Sequence, residues 1–265
     1  MKVLVTGGTG VLGRHLVQRL DGRAEVSVLT RRAADRPGLV QGDLNTGAGL
    51  EVALDGVDVV AHCASAADYL RPMRDVEQTR HLLSAASARR PHMVYISIVG
   101  VDRIPFGYYR AKLASERLIE ESGLPWTTLR TTQFHDLALL FLVLATRGPV
   151  AITARGLRGQ PVDVGEVAGR MADLVVGEPA GRVPDLGGPE VLDGEAIVRR
   201  FLRLTRRRKP VVRLPLPGKT GAAFRAGHHI VTDGDRGTRT FDDYLAAAIR
   251  PDGGVDLPYE VKLRR

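Results

Sequence analysis

The chain has 265 residues, a formal net charge of +8, 44% hydrophobic residues and 5% aromatic ones. That length can bury a large core, as one two-lobed domain or two small ones, and the composition excludes a disordered or fibrous polypeptide. The single cysteine, Cys63, excludes an intramolecular disulfide and fits a reducing cytoplasm, and the longest apolar run, Leu137 to Ala145, is far short of a membrane span.

Met1-Lys2-Val3-Leu4 runs into a strand without the cleavage pattern of a signal peptide, so a cytoplasmic location is expected. The first predicted strand, Lys2-Val3-Leu4-Val5, passes into Thr6, Gly7, Gly8, Thr9, Gly10, Val11, Leu12 and Gly13. An amphipathic helix follows to Leu20, beginning near Val11, and then a second strand, Val26 to Leu29, ending in Thr30-Arg31-Arg32. Strand, glycine turn, helix and strand in that order form a βαβ unit. Glycines there permit the tight turn, the approach of backbone to a pyrophosphate and close helix–strand packing, while the helix N-terminus faces the phosphates. Thr6 to Gly13 are therefore expected to hold a dinucleotide. No acid ends the second strand, where an NAD site places a carboxylate for the ribose hydroxyls. The guanidinium groups of Arg31 and Arg32 suit a 2′-phosphate instead, so NADP(H) is preferred over NAD(H).

A loop at Pro37-Gly38 leads to a third strand and its end, Leu39 to Leu44. Asp43 is placed either to accept from an adenine amino group or to cap the next segment. Leu50 to Leu54 reads as part of a helix, Val57 to Ser65 as a fourth strand and turn, Asp75 to Arg89 as a helix and Met93 to Val99 as a fifth strand. Leu44 and the turn Cys63-Ala64-Ser65, at strand ends, join the expected cofactor contacts; Cys63 reads as a small hydrophobe rather than a nucleophile. A helix from Tyr108 to Ser122 stops at Gly123 and Pro125, and Trp126 to Thr131 is a sixth strand. Alternating strands and helices imply an α/β fold: a Rossmann-type, doubly wound parallel sheet.

The alternation then loosens. Leu137 to Arg147, Asp163 to Val176, a segment N-capped by Asp193, and Phe241 to Ile249 read as helices; Val150 to Thr153 and Pro210 to Leu214 read as strands. Leu186 to Pro189 reads as a turn, Pro215 to Gly218 as a break and Gly227 to Thr240 as turn-rich chain. Residues 1–132 are expected to form the nucleotide-binding domain and 133–265 a smaller α+β substrate lobe, with 150–177 returning to the sheet. The basic run Arg203 to Lys209 is better explained as a solvated helix end than as a nucleic-acid site, and no zinc-ligand pattern or RNA-binding aromatic signature accompanies it, so neither nucleic acid nor a metal is expected.

Three residues carry the expected chemistry. Ser97 lies near the end of the fifth strand; Tyr108 and Lys112, four apart, share one helix face, with Ala111, Ala114 and Leu118 as the stripe holding that helix to the sheet. A phenol ionises near pH 10 in water, so a general acid or base of this type needs a nearby cation, which Lys112 supplies. Lys112 is also the single lysine between Lys2 and Lys209, and it can reach cofactor ribose hydroxyls. Ser97 would hydrogen-bond the substrate oxygen where charge develops. Tyr109 is expected to pack or line the pocket. Candidate lining segments are 66–72, 102–107, 133–136 and 150–160; within them Gln133 and Phe134 are expected to meet substrate, and His135 either does so or bonds a loop carbonyl.

The glycine motif, Asp43, Ser97 and Tyr108-x-x-x-Lys112 together resemble the short-chain dehydrogenase/reductase superfamily. Residues 95–101, 108–112, 129–134 and 160–164 resemble its atypical, NmrA-like NAD(P)H-binding branch. The resemblance implies an oxidoreductase in which Gly7, Gly10 and Gly13 match the glycine motif, Arg31 the 2′-phosphate position, Asp43 the adenine position, and Ser97, Tyr108 and Lys112 the catalytic positions. The short separation of Ser97 from Tyr108 departs from sugar-nucleotide enzymes. Many NmrA-like relatives have lost the tyrosine and act as redox sensors that bind a protein partner; this sequence keeps it, which favours an enzyme acting on a small molecule. The sensor is the alternative reading. The superfamily often dimerises, so a homodimer is one expected assembly.

Overall fold

The computed structural model describes residues 1–32, 36–65 and 71–257. In chain order the elements are β1 (Lys2–Thr6), α1 (Val11–Leu20), β2 (Glu25–Thr30), β3 (Leu39–Gln41), α2 (Leu50–Ala53), β4 (Val59–His62), α3 (Arg74–Ala86), β5 (His92–Ile98), α4 (Gly107–Glu120) and β6 (Trp126–Thr131). Then come α5 (His135–Ala145), β7 (Ala151–Ala154), β8 (Arg158–Gly159), α6 (Val164–Val176), β9 (Gly181–Arg182), β10 (Leu186–Gly187) and β11 (Leu192–Asp193). The last are α7 (Gly194–Leu204), β12 (Val211–Leu214), α8 (Gly218–Arg225), β13 (Asp235–Arg236) and α9 (Phe241–Ala248). Among the described residues no helix is long and apolar enough to cross a membrane.

Two compact units divide the chain. The first comprises Met1–Asp102, Phe106–Arg130 and Gly165–Pro184. Its sheet runs β3-β2-β1-β4-β5-β6, with β9 added beside β6. Strand β1 pairs in parallel with both β2 and β4, matching Val3 to Val26 on one side and to Val59 on the other. All four residues of β4 and six of the seven in β5 are buried, the pattern of strands covered on both faces. The chain leaves β1 toward β2 and β3, then returns to the other side of β1 as β4. The winding reverses between β1 and β4, and ligands of Rossmann-type sheets bind beyond the strand ends at that reversal. The expected Rossmann fold is what the structure shows.

The helices follow their apolar spacing. Leu12, Leu16 and Leu20 bury one face of α1; Val76, Thr79, Leu82, Leu83 and Ala86 bury one face of α3. Leu4, Leu50, Leu82, Met93, Tyr95 and Ile119 meet in one cluster, with Trp126 against it. Full burial of a leucine of this kind contributes roughly 1.5–3 kcal/mol. Helix α4 corrects the expected stripe: Ala111 is buried, but Ala114 and Leu118 are half-buried, and the inward line is Tyr109, Lys112, Ser115, Glu116 and Ile119. A lysine and a glutamate on the buried face are permitted because each has a partner inside.

The second unit comprises Arg103–Pro105, Thr131–Val164 and the chain from Asp185 onward. Here β12 pairs in parallel with β7, β11 pairs antiparallel with β8, and β10 joins Thr131 to β13. Leu139, Leu142, Val198, Phe201, Phe241 and Leu245 form its core. The Asp193 carboxylate caps α7 by accepting from the Ala196 N–H at 2.9 Å, and Thr240 with Asp243 forms a capping box on α9.

Three further expectations need correction. Leu186-Gly187 is a strand rather than a turn: the Leu186 carbonyl accepts from the Thr132 N–H at 3.0 Å, and two residues are too few to show a period. The break at Pro215 to Gly218 is followed by helix α8, which the prolines masked. The third strand ends at Gln41, not Leu44, because the Asp43 carboxylate folds the next residues into a turn.

Candidate active site

The glycine turn follows β1 at the β1–β4 reversal. Gly7 takes a φ of +71° and lies so close to the chain after β4 that a Cβ would stand 2.7 Å from the Ala64 backbone. At Gly13 a Cβ would stand 2.2 Å from the Gly7 carbonyl oxygen, and at Gly8 2.6 Å from the Val28 side chain. Helix α1 therefore begins pressed against the turn. Gly10 is its N-cap and has no side chain with which to cap the helix. Thr9 and Gly10 are exposed, Val11 is half-buried and Leu12 is buried. The N-cap thus offers the first-turn N–H groups no acceptor beside a glycine-lined surface, an arrangement that fits a phosphate. Thr6 is turned inward: its hydroxyl meets His62 Nδ1 at 2.7 Å and accepts from the Ala64 N–H at 3.3 Å.

The strand ends hold the other expected cofactor residues. Arg31 and Arg32 are exposed just past β2, and the Arg32 N–H donates to the Thr30 hydroxyl at 3.2 Å. Asp43 Oδ1 accepts from both the N–H and the side-chain amide of Asn45, at 2.9 and 2.8 Å, forming a local turn. Leu44 buries its side chain in the core, and its carbonyl oxygen lies 2.8 Å from His81 Nδ1. Burial pushes the Cys63 thiol up to about 12, so it is protonated at neutral pH and suited to packing.

Tyr108 and Lys112 lie in a polar cluster with Ser65 and Asp75, in the same unit as Ser97. The Tyr108 hydroxyl lies 2.8 Å from Ser65 Oγ, which donates to Asp75 Oδ2, also at 2.8 Å. Lys112 Nζ stands 4.0 Å from that carboxylate oxygen, 3.4 Å from the Ile96 carbonyl and 4.9 Å from the centre of the Tyr95 ring. Lys112 is 3% exposed. Burial works against its charge, but the phenol oxygens of Tyr95 and Tyr108 and the Asp75 carboxylate more than offset this and hold its pKa above the ordinary lysine value. Burial also pushes the Tyr95 phenol up, keeping it neutral. Ser97 is 2% exposed at the end of β5, and its hydroxyl makes no hydrogen bond to the described residues.

The remaining expected residues are placed differently. Tyr109 is buried and meets the Phe106 ring edge-on at 6.0 Å, so it packs. In the second unit Gln133 and Phe134 are half-buried, and the Gln133 carbonyl accepts from the Val162 N–H at 2.9 Å. His135 is fully buried against the Phe241 and Tyr244 rings, with Nε2 3.1 Å from the Pro161 carbonyl. Of its two foreseen roles, the bond to a loop carbonyl is the one the structure holds. Within the lining segment 66–72, residues 66–70 lie outside the described residues.

Asp75, Tyr95 and His62 escaped the sequence reading. Asp75 stands in the first turn of α3, where an acid ordinarily complements the helix dipole, so nothing local marks it out. His62 bonds Thr6 on β1 and, at 3.2 Å, Thr79 on α3. Burial, aided by the Lys112 charge, lowers its pKa to about 3.

Residues 7–155 match the family described as NAD(P)H-binding, and the chain belongs to that family. It is 31% identical over 140 residues to (4-alkanoyl-5-oxo-2,5-dihydrofuran-3-yl)methyl phosphate reductase of Streptomyces griseus, a match spanning 50% of this chain and 48% of that protein. The chain thus spans about half the length of that curated relative. In structure it resembles the Escherichia coli NADPH-dependent quinone oxidoreductase solved with NADPH (TM-score 0.76, 19% identity, 92% of this chain and 99% of that one). It also resembles the Citrobacter sp. triphenylmethane reductase solved with NADP(H) (TM-score 0.71, 18% identity, 96% of each chain). At these identities the likeness is one of fold.

Proposed function

We propose that the protein is an NADP(H)-dependent oxidoreductase that reduces a conjugated carbonyl compound, or oxidises the corresponding product, with Tyr108 as proton donor and acceptor. The observation that carries this reading is the hydrogen-bonded chain from the Tyr108 hydroxyl through Ser65 to Asp75, with the Lys112 ammonium beside the same carboxylate. When bound, the nicotinamide supplies or takes up a hydride. Tyr108 gives its proton to the substrate oxygen as negative charge develops there, and Ser65 remains in hydrogen-bonding reach of the phenolate that results. The buried Lys112 charge stabilises that phenolate in a low-dielectric setting, where such an interaction is stronger than in water. Ser97, with an uncommitted buried hydroxyl, is available to orient the substrate oxygen.

The substrate class is supported by two names among the relatives, a quinone reductase and a reductase of an oxo-dihydrofuran bearing an alkanoyl group, both acting on conjugated carbonyls. Arg31 and Arg32 support NADP(H), since exposed guanidinium groups past β2 suit a 2′-phosphate. The direct test is NADPH oxidation with a panel of quinones and enones. Wild type should turn over at least one of them, and Tyr108→Phe should retain NADPH binding by fluorescence while losing turnover. Undiminished turnover by Tyr108→Phe refutes the proton donor; NADPH binding without turnover on any substrate favours the redox-sensor alternative. Replacing both arginines with alanine should weaken NADPH by about tenfold or more and leave NADH nearly unchanged.

A further inference from the structure

The basic run at the end of α7 has no part in the reaction above. Arg199, Arg203, Arg207, Arg208 and Lys209 line one open cavity of about 510 Å³ within the second unit. The turn after the helix builds it. Arg206 adopts a left-handed φ of 55°, and the Arg207 N–H donates back to the Leu202 carbonyl at 2.8 Å, which sets Arg207 and Arg208 in the same cavity as Arg203. Lys209 is held in place by the carbonyls of Thr146 and Gly148, at 2.7 and 2.6 Å.

The charge in this cavity is not balanced. Among the described residues no acid lines it; Glu195 pairs with Arg199 and reaches Arg213. Among the described residues Arg203, Arg207 and Arg208 form no ion pair. The carboxyl end of a helix carries only about half a negative charge, which satisfies one cation and not four. Like charges gathered in one concavity repel, and the surplus falls when an anion occupies it. Guanidinium forks match pairs of phosphate oxygens, and Leu202 and Val211 offer apolar surface beside them. A singly charged carboxylate would leave most of the surplus, whereas a diphosphate removes it.

We propose that this cavity is an anion site that takes the diphosphate or phosphate ester of a small organic molecule. The lining residues all belong to the second unit, and the glycine turn belongs to the first.

The test is calorimetric titration of the full chain with pyrophosphate, at ionic strength held constant with chloride. The proteins are wild type, Arg31→Ala/Arg32→Ala, and Arg203→Ala/Arg207→Ala/Arg208→Ala. Saturable binding is expected in the first two, weakened about tenfold or more in the third, with Arg208→Gln alone showing a smaller loss. The removed side chains are exposed, so the fold should persist, which circular dichroism checks. Absence of saturable binding, or equal affinity in wild type and the triple variant, overturns the proposal. So does duplex DNA binding that depends on these arginines when pyrophosphate binding does not.

Discussion

Ser65 donates a 2.8 Å hydrogen bond to Asp75, and the accepting oxygen stands 4.0 Å from the Lys112 ammonium. A turn residue after β4 and a residue in the first turn of α3 thereby connect the Tyr108 hydroxyl to a buried charge pair. Under the proposed reaction, Ser65→Ala should leave NADPH binding intact, lower kcat by about a hundredfold or more and alter the pH profile of kcat, because positioned proton-transfer groups contribute on that scale. Ser65→Thr, which keeps the hydroxyl, should restore much of the rate. Steady-state kinetics across pH decides it; a Ser65→Ala profile superimposable on wild type removes Ser65 from the proton path.

Gly13 and Gly169 are opposed cases. At Gly13 an added Cβ meets backbone at 2.2 and 2.6 Å, whereas at Gly169, inside α6, nothing lies within 4 Å. Gly13→Ala should destabilise by about 2 kcal/mol or more through overpacking and abolish NADPH binding. Gly169→Ala should stabilise by roughly 0.5–1 kcal/mol, since glycine in a helix interior forfeits that much relative to alanine. Thermal melts and NADPH titration measure both.

Arg130 at the end of β6 makes a two-pronged bond to Glu116 on α4, at 2.8 and 2.6 Å, and lies 3.3 Å from Asp102. The arginine and glutamate side chains are 6% and 2% exposed. Glu116→Ala leaves a guanidinium largely buried with only a partly exposed acid beside it, and should cost about 3 kcal/mol. Replacing both residues by hydrophobic ones of similar volume should cost much less. Chemical denaturation of the single and double variants provides the comparison.

His62 makes the first unit acid-sensitive. Its pKa falls from 6.5 to about 3 because burial, with Lys112 adding to it, opposes the imidazolium. Below pH 6.5 the unfolded chain takes up the proton that the folded one refuses, so stability is full above that value and is lost progressively toward pH 3, by a few kcal/mol in all. Burial shifts His92 in the same direction. His62→Gln, which can keep hydrogen bonds to Thr6 and Thr79, should flatten the decline between pH 6 and 4. Denaturant titrations followed by Trp126, which packs against the core of the same unit, test this.

The strand, glycine turn and helix of residues 2–20, and the shared face of Tyr108 and Lys112, were legible in the sequence because they depend on periodicity and turn chemistry over a few residues. The Rossmann-type sheet followed from the alternation of such segments. Other features were decided only by tertiary structure. Ser65 and Asp75 meet Tyr108 and Lys112 through the packing of α3 against α4, at separations no local pattern encodes. The cationic role of Lys112 beside Tyr108 is expected from their spacing, but its burial and its partners Asp75 and Tyr95 come from other elements. His135 was left between two roles, and the rings of Phe241 and Tyr244, far along the chain, enclosed it. Strands of two residues, such as β10, exist because a neighbouring strand supplies their hydrogen bonds. Local preference determines what a segment can become, and long-range pairing and burial determine which polar groups meet and which are shielded from water.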